Sequence, residues 1–187
     1  MKFAAWFCLL VTVASAAAPA PREEIVEIFG RRKFVVPVPA GCTLVRGLDR
    51  GGGVGLRLAN ADGTLDVHIS FAADPTGEIA GSARVRKEIM VDAFSEFVAD
   101  SKEKAMQFEE IEVRGGAGTY CVFTDEKLAG KTPPPGEFVY VTAGVRVSRG
   151  VAVLFKIFNN DLRAEDYREA MALVRETLRE RPATPLL

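Results

Sequence analysis

The chain contains one histidine, His68, and an aspartate, Asp66, lies two residues before it. Thr64 to Phe71 alternates in polarity, so on a strand Asp66 and His68 point to the same face. A carboxylate that orients an imidazole makes a general base, which is hydrolase chemistry. The same pair on an alternating strand is also an ordinary solvated pair, and the sequence offers no identifiable nucleophile beside it. A single histidine excludes a His-rich metal centre. Asn60-Ala61-Asp62-Gly63-Thr64-Leu65-Asp66 has a faint likeness to a calcium loop but lacks the bidentate Glu that should follow, so it reads as a hairpin turn. No metal and no cofactor is expected.

Four other segments carry chemistry-bearing residue types. Arg50-Gly51-Gly52-Gly53-Val54-Gly55 is rich in glycine, but a phosphate cradle needs a helix after it. Here the run leads into an apparent strand and reads as a hairpin connection. Arg31-Arg32-Lys33 is a compact basic cluster that Glu23, Glu24 and Glu27 can neutralise; its sharper reading is a docking site for an acidic partner. Pro133-Pro134-Pro135 favours extended polyproline II, which serves either as a docking epitope or as a rigid connector. Cys42 and Cys121 are the cysteines outside the N-terminal segment. In an oxidising compartment they can pair, closing a loop worth on the order of 4 kcal/mol in the chain-entropy treatment. As buried free thiols they act instead as small hydrophobes. Spacing does not choose between these, and neither cysteine has the local His of a catalytic thiol.

The N-terminus supplies the compartment. Lys2 precedes an apolar run from Phe3 to Ala14, then small residues Ser15-Ala16-Ala17-Ala18 and prolines at 19 and 21. That order is a cleavable export signal, and the run falls short of the roughly 20 residues a bilayer requires. Residues 1–18 are expected as signal peptide, 19–24 as a flexible lead-in, 25–181 as one globular domain and 182–187 as a tail. The domain is long enough to bury a core without staples. The 187-residue chain has 24 Lys+Arg against 25 Asp+Glu. This near-neutral balance argues against nucleic acid or an anionic membrane as the main partner. No later apolar stretch is long enough to span a membrane.

These residues must be positioned by a sheet. Strands are expected over Ile25–Phe29, Phe34–Val38, Cys42–Arg46, Leu56–Asn60 and Thr64–Phe71. Ala83 to Met106 predicts a long helix, with Val85, Ile89, Ala93 and Phe97 as a stripe that Met90, Phe94 and Val98 widen. Two hairpins follow, Gln107–Thr124 and Glu137–Phe158. The arm Val151 to Phe158 is apolar on nearly every residue, so both of its faces must be covered. Ala164 to Arg181 predicts a terminal helix ended by Pro182. The expected class is α+β: a largely antiparallel sheet with helices on both faces, an α/β/α sandwich.

This order resembles the PsbP-like superfamily. The residues that carry the likeness are the opening Phe34-Val35-Val36-Pro37-Val38-Pro39-Ala40-Gly41, the helix with Phe94 and Phe97, the hairpin before Cys121, and the closing strand and helix, over residues 25–181. The resemblance implies a sheet covered by helices and a binding or accessory role, and it assigns no functional residue. The expected function is that of an exported accessory or binding protein with a protein or small-ligand partner. The alternative is an enzyme using Asp66 and His68.

Overall fold

Val151 to Asn159 is the organising segment. In the computed structural model, which describes residues 22–28, 32–48, 53–113, 115–177 and 179–181, it is the ninth of ten strands, β9. The strands before it are β1 (Arg22–Ile28), β2 (Arg32–Val38), β3 (Cys42–Leu48), β4 (Val54–Asn60), β5 (Leu65–Ala73), β6 (Glu109–Ile111), β7 (Gly116–Thr124) and β8 (Tyr140–Ser148). Helices α1 (Glu78–Gly81) and α2 (Ala83–Phe94) connect β5 to β6. Helix α3 (Glu165–Ala172) and a π-helical turn, Leu173–Thr177, connect β9 to β10 (Arg179–Arg181). The expected signal peptide 1–18, the first part of the lead-in 19–24, Arg31, Gly51 and Gly52, and the tail 182–187 lie outside the described residues.

Seven strands form an antiparallel sheet in the order β3-β4-β5-β9-β8-β7-β6. Strand β9 is paired along its full length with β5 on one side and β8 on the other. Its odd-numbered residues, Val151, Val153, Phe155 and Ile157, are buried against one core. The opposite wall of that core is a second, three-stranded sheet, β1-β2-β10, whose inward residues are Val26, Ile28, Phe34, Val36 and Val38. Helix α3 and the π turn complete it with Ala170, Met171, Leu173 and Val174. The rings of Phe34 and Phe71 meet across it with centroids 5.7 Å apart.

The other face of the large sheet carries a smaller core. Met90 and Phe94 of α2 pack on Cys121, Ala143, Val145, Val147 and Ala152. Burying two side chains of that size contributes on the order of 3–6 kcal/mol. Helix α2 starts at Ser82, whose hydroxyl accepts from the Val85 amide at 3.3 Å. Its most buried stripe is Arg86, Met90 and Phe94, one position on from the expected Val85, Ile89 and Ala93. Arg86 enters the stripe because every one of its nitrogens finds an acceptor. Nη1 donates to Ile79 O and Ala80 O at 3.1 and 2.9 Å, Nε to Thr119 Oγ1 at 3.0 Å, and Nη2 to Glu110 Oε2 at 3.1 Å. Those carbonyls belong to the one-turn helix α1, which has too few residues to satisfy them internally. The buried Asp74 caps its other end, accepting from the Ile79 and Ala80 amides.

The expected α+β class, with helices on both faces of the sheet, is overturned. The protein is mostly β, and one face of the large sheet is covered chiefly by a second sheet. Three local departures account for this. The predicted helix 83–106 stops at Phe94, passes through a 3₁₀ turn at Ser95–Phe97, and then hands its backbone bonds to the β7 region: Lys102 N donates to Thr124 O and Glu126 N to Asp100 O. The predicted helix 164–181 unwinds after Ala172 so that β10 can pair with β2. An unpaired edge at β2 leaves backbone donors and acceptors without partners, which outweighs the helical pattern. Strand pairing also begins at Arg22, within the expected lead-in, where β1 pairs with β2. Pro37 sits in β2 without penalty because β10 reaches only from Lys33 to Val35. Among the described residues no helix is long and apolar enough to cross a membrane.

Gly144 tests how tightly this sheet is packed. It lies opposite Phe155, and a Cβ there would come within 2.5 Å of the Phe155 ring and 2.7 Å of Thr119 O. Gly144→Ala is expected to lower unfolding free energy by about 1–3 kcal/mol, the usual cost of overpacking, read as a shift of the urea midpoint. An unchanged midpoint would show that the Phe155 ring moves freely, against this packing.

Candidate functional site

Helix α2 packs chiefly on β7 and β8 and reaches Ala152 of β9. The same face of β3, β4, β5 and part of β9 stays open beside it. Strand alternation decides what it presents. Arg57 on β4 pairs with His68 on β5, and His68 pairs with Lys156 on β9, so these side chains form one row across three neighbouring strands. One pleat along lies the row Gly47, Gly55, Ser70 and Leu154. Three small residues in one row make a depression. With Val45 and Leu48 at the β3 lip and Ala93, Phe94 and Glu96 on the helix side, it is a groove of about 580 Å³. Val45 and Leu48 are 59% and 79% exposed, unusual for large apolar side chains and consistent with a binding surface.

Asp66 stands behind two of the groove's lining residues, Arg57 and His68. Its carboxylate takes a bidentate pair from Arg57, with Nε at 2.9 Å and Nη2 at 2.8 Å. This leaves Arg57 Nη1 without a protein partner among the described residues. His68 Nε2 lies 3.1 Å from Asp66 Oδ1, a close ionic contact that lacks hydrogen-bond alignment. Desolvation by itself would raise the Asp66 carboxyl, but the close His68 contact and the bidentate Arg57 pair outweigh it and hold the carboxyl below its ordinary range. Ser70 follows His68 on the same face. Among the described residues it makes no hydrogen bond to His68. Lys156 Nζ sits 5.9 Å above the Phe97 ring and makes no ion pair among the described residues.

The structure places the other sequence candidates apart from this groove. Arg31 is outside the described residues. Arg32 donates to Arg149 O at 2.9 Å and lies over the Phe34 ring, while Lys33 is on the opposite face of β2, opposite Glu27. Alternation thus splits the basic cluster. Pro133, Pro134 and Pro135 run into a turn closed by Glu137 N to Pro134 O at 3.1 Å, with Gly136 at φ +81. Cys42 and Cys121 are both free and buried. They belong to opposite cores, on strands with four others between them, or roughly 24 Å of sheet. That span excludes a disulfide in this fold. Desolvation raises both thiols, Cys121 to about 11, so neither is a reactive thiolate. Among the described residues no three His, Cys, Asp or Glu side chains gather as metal ligands.

Sequence reasoning named Asp66 and His68 but missed Arg57, Ser70, Glu96 and Lys156. A signal was present: Leu56-Arg57-Leu58 and Phe155-Lys156-Ile157 each set one cation in an apolar strand, which marks a polar spot on an otherwise covered face. Among family models, curated proteins and solved structures, none matches the chain, so the PsbP-like resemblance rests on sequence pattern alone.

The depressed Asp66 carboxyl fixes an acid dependence. A carboxyl whose folded pKa is lowered stabilises the fold above its unfolded value of about 3.9, and that stability is lost as pH falls through the folded value. Unfolding free energy is expected to fall more gently for Asp66→Asn than for wild type between about pH 5 and pH 2. Parallel curves would show that the Arg57–Asp66–His68 contacts contribute nothing to stability.

Proposed function

We propose that the chain is an exported, non-catalytic ligand-binding protein. Its groove takes a small molecule with an anionic group on an apolar body. The carrying observation is that Lys156 and Arg57 Nη1, neither of which meets a carboxylate among the described residues, stand on the wall of one small-floored depression. Val45, Leu48 and Leu154 supply apolar contact beside those cations. Export is supported by the residue order of 1–18, and the mature chain is expected to begin at Ala17 or Pro19. Mass spectrometry of the protein from its own cells reads this directly, and a dominant form still carrying Met1 would count against it.

Calorimetry with 1-naphthoate, and with neutral 1-naphthamide as control, tests the groove. Saturable one-to-one binding of the acid is expected, weakened about ten-fold or more in Lys156→Glu, which reverses the charge the anion would meet. Equal binding of acid and amide, or no effect of the variant, would remove the anionic part of the reading. No saturation would remove the site.

A second reading rests on the 3.1 Å Asp66–His68 contact with Ser70 on the same face. A hydrolase would use His68 as general base toward a hydroxyl nucleophile. Hydrolysis of p-nitrophenyl acetate above the buffer rate, lost in both His68→Ala and Ser70→Ala at unchanged melting temperature, would replace the binding reading.

A further inference from the structure

Beyond the groove, on the far side of Phe97 and Phe158, lies a separate cavity of about 380 Å³. Four phenyl rings line it. Phe97 meets Phe123 with centroids 5.7 Å apart and Phe158 at 6.2 Å, and Phe138 meets Phe158 at 5.7 Å. The lining also has four carboxylates, Glu96, Asp100, Asp125 and Glu137, and no Lys, Arg or His. Two of these are engaged: Asp125 Oδ1 accepts the Lys127 and Leu128 amides at 2.7 and 3.0 Å, and Asp100 faces Lys127 Nζ at 3.8 Å. Glu96 and Glu137 make no ion pair among the described residues. The turn that ends the triple-proline run delivers Glu137 and Phe138 to the cavity wall.

We infer that this cavity is a binding site for a small organic cation of the alkylammonium class. Phenyl faces carry negative charge and attract cations, and neighbouring carboxylates add to the attraction. From the groove side, Lys156 places its ammonium 5.9 Å from the Phe97 centroid, one such contact with a ring of this cavity. An apolar ligand gains nothing from Glu96 and Glu137, and an anion is repelled by all four acids. Rings and carboxylates together select a cation that is also partly apolar. The site shares Glu96 with the groove but uses opposite charge, so it does not depend on the anion-binding reading.

The test uses the soluble chain from residue 19 onward with choline, and with 3,3-dimethyl-1-butanol as its neutral carbon isostere, followed by NMR shift titration. Choline is expected to saturate and to bind about ten-fold tighter than the isostere. Phe138→Leu keeps apolar volume and removes the ring; it is expected to weaken choline about five-fold or more. The double change Glu96→Gln with Glu137→Gln alters exposed side chains and should do the same at unchanged melting temperature, which covers the case where Phe138→Leu unfolds. Arg57→Gln, which removes a groove cation and lies outside the cavity lining, should leave choline binding unchanged, so the two sites fail separately. Equal binding of choline and its isostere, absence of saturation, or indifference of the double variant would each overturn the cation site.

Discussion

Strand β9 is paired on both edges, fully buried on one face and half-buried on the other, and this constraint sets the rest of the architecture. Val151, Val153, Phe155 and Ile157 on one side need a full cover, and Ala152 and Leu154 on the other need a partial one. One side is closed by β1, β2 and α3, the other by α2. The second cover is narrow, because a single helix about 10 Å across spans only two strands of sheet spaced near 4.8 Å. It sits on β7 and β8 and leaves β3, β4, β5 and part of β9 uncovered. The groove is the uncovered remainder of a sheet whose helix is too narrow for it.

The position of α2 is fixed by polar groups as much as by apolar ones. Arg86 and Asp74 cap the two ends of α1, and Arg86 also reaches Thr119 on β7 and Glu110 on β6. A buried guanidinium is costly unless its donors are met, and here each of its three nitrogens has an acceptor. On the opposite core, Arg146 donates to Arg175 O in the middle of the π turn, and desolvation pulls its guanidinium down to about 10, still charged at neutral pH. Tyr167 of α3 meets Thr142 of β8 at 3.0 Å. Each helix is therefore tethered to the sheet by a directional bond that fixes its register, while the apolar contacts supply most of the attraction.

Much of the strand content was readable from residue patterns. The alternation around His68, the doubly apolar run at Val151 and the turn at Ser148-Arg149-Gly150 all identify strands that form. The face shared by Asp66 and His68 follows from spacing alone, and the two side chains do meet. The long helices were not readable correctly. Ala83 to Met106 keeps an apolar repeat past Phe94, but there the repeat belongs to Phe97, which leaves the helix axis to join Phe123 and Phe158. Ala164 to Arg181 is periodic enough for a helix, yet its last residues are required at the β2 edge. In both places long-range pairing overrides a local preference worth only tenths of a kcal/mol per residue.

Composition and short-range spacing set the near-neutral charge, most of the antiparallel strand set and the facing of Asp66 and His68. These depend on residue type and on spacing within a few positions, which the chain carries in order. Only the tertiary structure decided that the first two strands form their own sheet, that Cys42 and Cys121 lie in opposite cores, and that Arg57, Lys156 and Glu96 join His68 around one groove. The same holds for the four phenylalanines, which come from positions 97 to 158 and meet because β7, β8 and β9 are neighbours. Such features depend on strand order, and strand order is fixed by which faces bury together across the whole chain.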